Sequence, residues 1–345
     1  MNEVRAVQSL VLGENRGRGN LLGIQPWMTP QDYATQDLIY MRLAGYLARA
    51  RRLEWLSTRT VVVWPEHLAT WLLTTGEAEA VREAPTLASA MRALAWRSPF
   101  RFIRTLLASP ERDKSAAAVL RMHAQAAAER YQALFSQLAA DYGVAMVAGS
   151  IVLPDPAVHA GRITAGKGPL YNVSAVFRPD GSVYPDLVRK AYPVGAELPF
   201  TTAGSPTALP VFSTHAGRLG VMICADAWYP ASYTHLQSQG VELLAVPSHA
   251  AKVGAWHRLW DGYDGAPMPD DVDPSDVGRL TEAEAWNRYA LAGRMADSGA
   301  RAGINVFLGG KLWDLGTEGA SMMVAADQAP VVAEPGRPAL LNLWL

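Results

Sequence analysis

Cys224 is the only cysteine of this 345-residue chain. It stands where the apolar run Leu219-Gly220-Val221-Met222-Ile223 meets the short turn Cys224-Ala225-Asp226. A nucleophile needs such a strand end, where it faces a pocket with backbone N–H groups beside it. Taken alone, the thiol reads as a packed core residue, because free cysteine is among the most buried residue types. Glu66 is the first polar group after Thr60-Val61-Val62-Val63-Trp64-Pro65. Taken alone, it reads as a solvated turn carboxylate. Lys190 follows the strand-like Val183 to Val188 and precedes a turn-rich stretch ending at Glu197. Lysine is scarce, five against twenty-six arginines, so a lysine at a strand end suggests a compact point charge, with a snorkelling surface lysine as the other reading.

Taken together, these residues make one chemical system. A thiol with an ordinary pKa of about 8.5 is mostly protonated at neutral pH and needs a base. Glu66 would serve as base and then as acid. Lys190 would stabilise the charge of a tetrahedral intermediate, with the backbone N–H of Ala225 as a second donor. Glu197 would hold Lys190 or orient a water.

Strand-like and helical segments alternate around those side chains. Strands are expected at Val4 to Leu12, at Val61 to Val63, at Val144 to Leu153, around Val173 to Phe177, at Val183 to Val188, Leu219 to Ile223, Leu243 to Val246 and Asn305 to Leu308. Thr29-Pro30 predicts a helix start, running to about Arg52 with Leu38, Met41, Ala44 and Leu47 near one face. Further helices are expected from about Ala116 to Tyr142 and from Glu282 to Ser298. Such alternation predicts a layered α/β protein. In open α/β sheets, ligands and catalytic groups collect at the carboxyl ends of strands, which is where Glu66 and Cys224 fall.

The chain resembles the nitrilase (carbon–nitrogen hydrolase) superfamily. The resemblance rests on Glu66 after a Val-rich strand and Pro, on Arg189-Lys190 before a distal Glu, and on Ile223-Cys224-Ala225-Asp226 ending in Pro230. Val147-Ala148-Gly149-Ser150, Tyr171-Asn172, Pro179-Asp180-Gly181 and Glu318-Gly319-Ala320-Ser321 extend it from Arg5 to about Val324. It implies an α-β-β-α sandwich and a Glu66-Lys190-Cys224 triad with Glu197 as second glutamate. It also implies hydrolysis of a small-molecule amide or nitrile through a thioester, and pairing into a homodimer or higher homo-oligomer. The amidase-like branch tends to carry Cys-x-Asp, as here, whereas true nitrilases carry Cys-Trp-Glu. Many amidases and carbamoylases have an arginine four positions past the cysteine; Trp228 stands there, so an apolar or aromatic acyl group becomes plausible. Trp228 and His249 are candidates for the substrate pocket. No metal or organic cofactor is required by this chemistry.

Composition agrees. Half of the residues are hydrophobic and the formal net charge is −1, which argues against a nucleic-acid partner drawn by phosphate attraction. One cysteine leaves no internal disulfide, so a reducing cytoplasm is expected. No apolar stretch reaches about 18 residues and no signal peptide is evident, which separates the chain from the superfamily's membrane-embedded acyltransferases. No interdomain linker appears, so residues 1–345 read as one domain with insertions at about 76–115 and 251–280. The first carries Trp96, Phe100, Phe102 and Leu106 among Arg92, Arg97, Arg101 and Arg104. It reads as a cap over the site or a packing element, with an amphipathic membrane-surface segment as the alternative. The second holds six aspartates between Asp261 and Asp276, without the spacing of a calcium loop. An acyltransferase, a nitrilase, or a silent relative that binds a membrane or partner are the alternatives to an amidase.

Overall fold

A computed structural model describes residues 6–250 and 254–345. Val4 and Arg5, where the first strand and the family resemblance were expected to begin, lie outside the described residues, as do the first positions of the 251–280 insertion.

Val61, Val62, Val63 and Trp64 form a strand buried at every position, because side chains alternate between two covered faces. Val62 and Trp64 point into one core beside the helices Gln36–Arg52 and Lys114–Tyr142, whereas Val61 and Val63 point into a second core. The same alternation divides Met146 and Ala148 from Ala145 and Val147. This first sheet has the order Gln8–Leu12, Ala339–Trp344, Asn20–Gln25, Thr60–Trp64, Ala145–Ala148, Val176–Phe177. Across the second core lies another six-stranded sheet, ordered Val211–Thr214, Gly217–Val221, Leu243–Ser248, Ala302–Phe307, Met322–Ala325, Val331–Val332. On its outer face Gly303 meets Leu291 and Met295, and Gly220 meets Leu236 of helix Pro230–Ser238. The layers are therefore helix, sheet, sheet, helix, the α-β-β-α sandwich expected.

Differences from the sequence reading have local causes. A 3-10 turn at Pro30–Tyr33 takes the Thr29-Pro30 start, and the helix proper begins at Gln36, where Thr35 accepts from the N–H of Leu38. Its buried stripe is Ile39, Leu43, Tyr46, Leu47 and Ala50, while Leu38 and Met41 are exposed. The expected strand Val144 to Leu153 divides into Ala145–Ala148 and Ile151–Pro154, in different sheets. Gly149 turns the chain between them with φ +62°. Of Val183 to Val188 only Val188–Arg189 is a strand, paired with Leu170–Ser174. The helix expected from Glu282 to Ser298 breaks after Tyr289, at Ala290 (φ −110°, ψ −148°).

In the first insertion, Ser98 leaves helical geometry (φ −140°, ψ 66°) and separates helix Leu87–Arg97 from helix Pro99–Ala108, which Pro99 opens. Ala90, Leu94 and Ala95 pack into the core beside Ala117 and Leu120. In the second insertion three of the six aspartates serve caps and ion pairs. Asp273 caps Ser275, Asp271 pairs with Arg294, and Asp276 accepts from Tyr289 and pairs with Arg279 and Arg288. Among the described residues, no helix is long and apolar enough to cross a membrane.

The two sheets leave no room for a side chain at Gly23, where a Cβ would lie 2.6 Å from Ile304 Cδ1 and 2.9 Å from Val306 Cγ2. Gly23→Ala is expected to destabilise the protein by about 1–3 kcal/mol through overpacking, and Ile304→Val, which deletes the nearer methyl, to restore part of it. Urea denaturation of the single and double variants measures both; an unchanged midpoint in Gly23→Ala would contradict this packing.

Candidate active site

Three chain segments deliver the site, each past a strand end. Pro65 stops the Thr60–Trp64 strand and turns Glu66 inward. That turn is fixed from the neighbouring strand: Ser150 Oγ accepts from the N–H of His67 at 2.8 Å, and Ser150 O accepts from the N–H of Ala69 at 3.1 Å. Only glycine fits at 149, since a Cβ there would come within 2.3 Å of Pro65 O. The sequence motif Val147-Ala148-Gly149-Ser150 is thus the clamp behind Glu66.

Lys190 emerges from the Val188–Arg189 strand with its N–H bonded to Asn172 O at 2.9 Å. Its Nζ donates to Glu66 Oε1 at 2.8 Å and to Glu197 Oε2 at 2.5 Å. The amide of Asn172 donates to Glu66 Oε1 at 2.9 Å and to Glu197 Oε1 at 2.8 Å, and the N–H of Val194 donates to Glu197 Oε2 at 3.1 Å. Glu66 and Lys190 are each only 2% exposed. Burial works against the Lys190 ammonium, but the carboxylates of Glu197 and Glu66 outweigh it and hold its pKa well above the usual amine value. Burial likewise opposes ionisation of Glu197, and Lys190 with His67 overcomes it and holds that carboxyl well below the usual range.

Cys224 follows the Gly217–Val221 strand and opens the 3-10 turn Cys224–Trp228 with φ +51°. A non-glycine residue in this region is strained, and such strain gathers at functional positions. The N–H of Ala225 lies in the first turn, where amides lack a partner within the helix. Sγ lies 3.8 Å from His249 O. Burial, joined by the charge of Glu66, pushes the thiol well above its usual pKa, while Lys190 pulls the other way.

Both glutamates, Lys190, Cys224 and His249 line one cavity of about 1040 Å³. Trp228 does not line it: the indole packs against Trp260, Trp286 and Tyr263. The substrate-pocket position expected of Trp228 is thereby corrected, because the turn after Cys224 directs this ring into the core.

Three contributors were not singled out from sequence. His67, in the left-handed region at φ +58°, places Nε2 3.4 Å from Glu197 Oε1. Asn172 and Asp226 were noted only as parts of motifs. Asp226 is fully buried and accepts from the N–H groups of Ala191 and Tyr192 on Oδ1 and of Ile223 on Oδ2. It ties the Lys190 segment to the Cys224 segment; burial pushes its pKa up to about 7 against those three N–H bonds. Glu66, His67 and Glu197 also offer donor atoms within 4.8 Å of one another, a spacing that could hold a metal ion. The Lys190 ammonium already bonds to both carboxylates in that position.

A family model for carbon–nitrogen hydrolases matches residues 46–265. An N-carbamoylputrescine amidase of Solanum tuberosum is 29% identical over 130 residues, which are 34% of this chain and 43% of that protein's length. Nitrilase 2 of Arabidopsis thaliana is 29% identical over 114 residues, 29% of this chain and 34% of that one. The chain thus matches less than half the length of these curated relatives. The fold is similar to that of an amidase from Nesterenkonia sp. AN1, whose Cys→Ala mutant superposes with a TM-score of 0.56 at 16% identity, covering 95% of this chain and 90% of that one. In another structure of that amidase, a Glu→Gln mutant carries the acetamide moiety of fluoroacetamide covalently on its active-site cysteine (TM-score 0.54, 16% identity, 96% and 93% covered).

Asp226→Ala would orphan three buried N–H groups at about 1–3 kcal/mol each. We expect a loss of about 3 kcal/mol or more by urea denaturation, with Asp226→Asn intermediate; a loss under about 1 kcal/mol would show that these bonds do not join the segments. His249 supplies a pH test. Burial lowers its pKa to about 3, so between that value and the ordinary value of about 6.5 only the unfolded chain takes up the proton. Its contribution is complete above pH 6.5 and is lost as pH falls, by up to about 1.4 kcal/mol per pH unit. Stability measured from pH 7 to 4.5 should fall less steeply in His249→Gln; parallel curves would rule out a neutral buried imidazole.

Proposed function

Because the chain belongs to the carbon–nitrogen hydrolase family, we propose that it hydrolyses the amide bond of a small molecule through a thioester on Cys224. The observation that carries this reading is the buried Lys190 ammonium, bonded to both Glu66 and Glu197 beside a cysteine at a strand end. Lys190 holds its proton firmly, so its part is charge stabilisation and not proton abstraction. The thiol also holds its proton at rest, so a base must act as substrate arrives. Glu66 is that base.

In the proposed cycle Glu66 takes the proton from Sγ while sulfur attacks the carbonyl carbon. The C=O π pair moves onto oxygen, where Lys190 and the N–H of Ala225 receive it. As the C–N bond breaks, Glu66 returns the proton to the departing nitrogen, leaving the thioester. Water then gives a proton to Glu66 and its hydroxide equivalent to the carbonyl carbon. The acid leaves and the proton returns to sulfur. Asn172 and Glu197 are positioning residues, since they touch Glu66 and Lys190. The covalent adduct on the cysteine of the Nesterenkonia amidase supports the nucleophile's role, and Cys224-Ala225-Asp226 supports amides over nitriles.

Intact-mass analysis with a panel of amides, carbamoyl compounds and nitriles tests the cycle. An acyl adduct on Cys224 is expected, accumulating in Glu66→Gln as deacylation slows. Cys224→Ala should lose turnover by at least about 10⁴-fold. Free acid with ammonia or amine identifies a hydrolase, whereas a new amide identifies acyl transfer. Turnover surviving in Cys224→Ala, or no adduct and no ammonia from any compound, would overturn the reading.

A further inference from the structure

The groups proposed to act on the amide are a few among the many residues that line the 1040 Å³ cavity. Away from them its wall is built by the two-helix insertion and the Lys114–Tyr142 helix, with Met91, Ala95, Phe102, Val119, Leu120 and Phe200 among the lining residues. The charges nearby are mostly engaged. Asp113 caps the N–H groups of Ser115 and Ala116, Asp314 accepts from the N–H of Leu87, and Arg92 is exposed at the rim. A small amide would fill a corner of a space at the top of the range for ligand pockets and leave an apolar wall facing water.

We infer that the substrate is an amide with a long apolar arm, a chain of about six or more carbons, held between the Leu87–Ala108 insertion and the Lys114–Tyr142 helix. This rests on the amidase reading and adds the class of substrate to it. Neither Asp113 nor Asp314 suits a substrate carboxylate. Trp96, 77% exposed and also lining the cavity, stands at its mouth. Each buried methylene contributes about 0.8 kcal/mol, or about fourfold in kcat/KM until the cavity is filled.

The test uses two homologous series, acetamide to decanamide and N-methyl- to N-decylacetamide, with hydrolysis by the native chain and equilibrium binding to Cys224→Ala. At least a tenfold rise in kcat/KM, and a matching fall in Kd, from the shortest to the longest member of either series is expected. The series that rises also tells which side of the amide carries the arm. Ile103→Glu and Met91→Glu should each reduce the ratio of long- to short-chain kcat/KM at least tenfold. That ratio is read within one protein, and Ile103, which also lines the cavity, is 52% exposed, so a charge there need not be buried. Short amides hydrolysed with no gain from length would overturn the inference and leave the amidase reading standing. Length-dependent binding without hydrolysis would support the apolar arm site but overturn the amidase reading, and with it the arm-bearing amide as substrate. Kd independent of length in both series, whatever the turnover, would also overturn it.

Discussion

The ammonium of Lys190 is buried between the carboxylates of Glu66 and Glu197, and the surrounding chain is arranged to keep that charge paired. Withdrawing such groups from water costs several kcal/mol per ion, offset only by close geometry and by hydrogen bonds to the remaining atoms. Asn172 supplies two of those bonds and the amide of Val194 another. Two carboxylates against one ammonium leave an excess of negative charge, and that excess joins with burial in keeping the Cys224 thiol protonated. A charge cluster built to hold lysine in place therefore also sets the protonation state of the sulfur beside it.

The sandwich makes this cluster possible because no single sheet could. Glu66 comes from the first sheet, Lys190 and Asn172 from the small sheet of Ile151–Pro154, Leu170–Ser174 and Val188–Arg189, and Cys224 with His249 from the second. Two joints hold the pieces in register: the Gly149-Ser150 clamp behind Pro65, and the Asp226 carboxylate between the lysine and cysteine segments. Ser321 makes a third, farther back, with its Oγ bonded to Gln25 Oε1 at 2.7 Å and to the N–H of Phe307 at 2.8 Å.

The residues of the cluster were legible in sequence because each breaks a local pattern: a carboxylate after a Val run and proline, a lysine in an arginine-rich chain, a single cysteine closing an apolar run. Asp226 and His67 break none. One polar residue in a turn looks like any other until three amides or a neighbouring carboxylate are brought to it. Hydrophobic spacing located only about half of the strands, missing Asn20–Gln25 and Ala339–Trp344 inside the first sheet, and it did not give their partition; Val144 to Leu153 reads as one run, and only the left-handed Gly149 divides it between sheets. In helix Gln36–Arg52 the apolar spacing through Leu38, Met41, Ala44 and Leu47 was rotated off the buried face: Leu47 is buried, but Leu38 and Met41 are exposed and Ile39 and Leu43 fill the core in their place. Trp228 was misplaced for a related reason: its place four residues past Cys224, where the resemblance puts a substrate-binding arginine, says nothing about the direction of its ring.

Cys224 sits in left-handed backbone geometry that a side chain with a Cβ adopts at a cost of about 1–2 kcal/mol and glycine adopts freely. Cys224 therefore occupies a position where stability alone would favour a residue with no side chain. The thiol proposed as nucleophile thus stands where a side chain of any kind carries a conformational cost, a trade of robustness for reactivity.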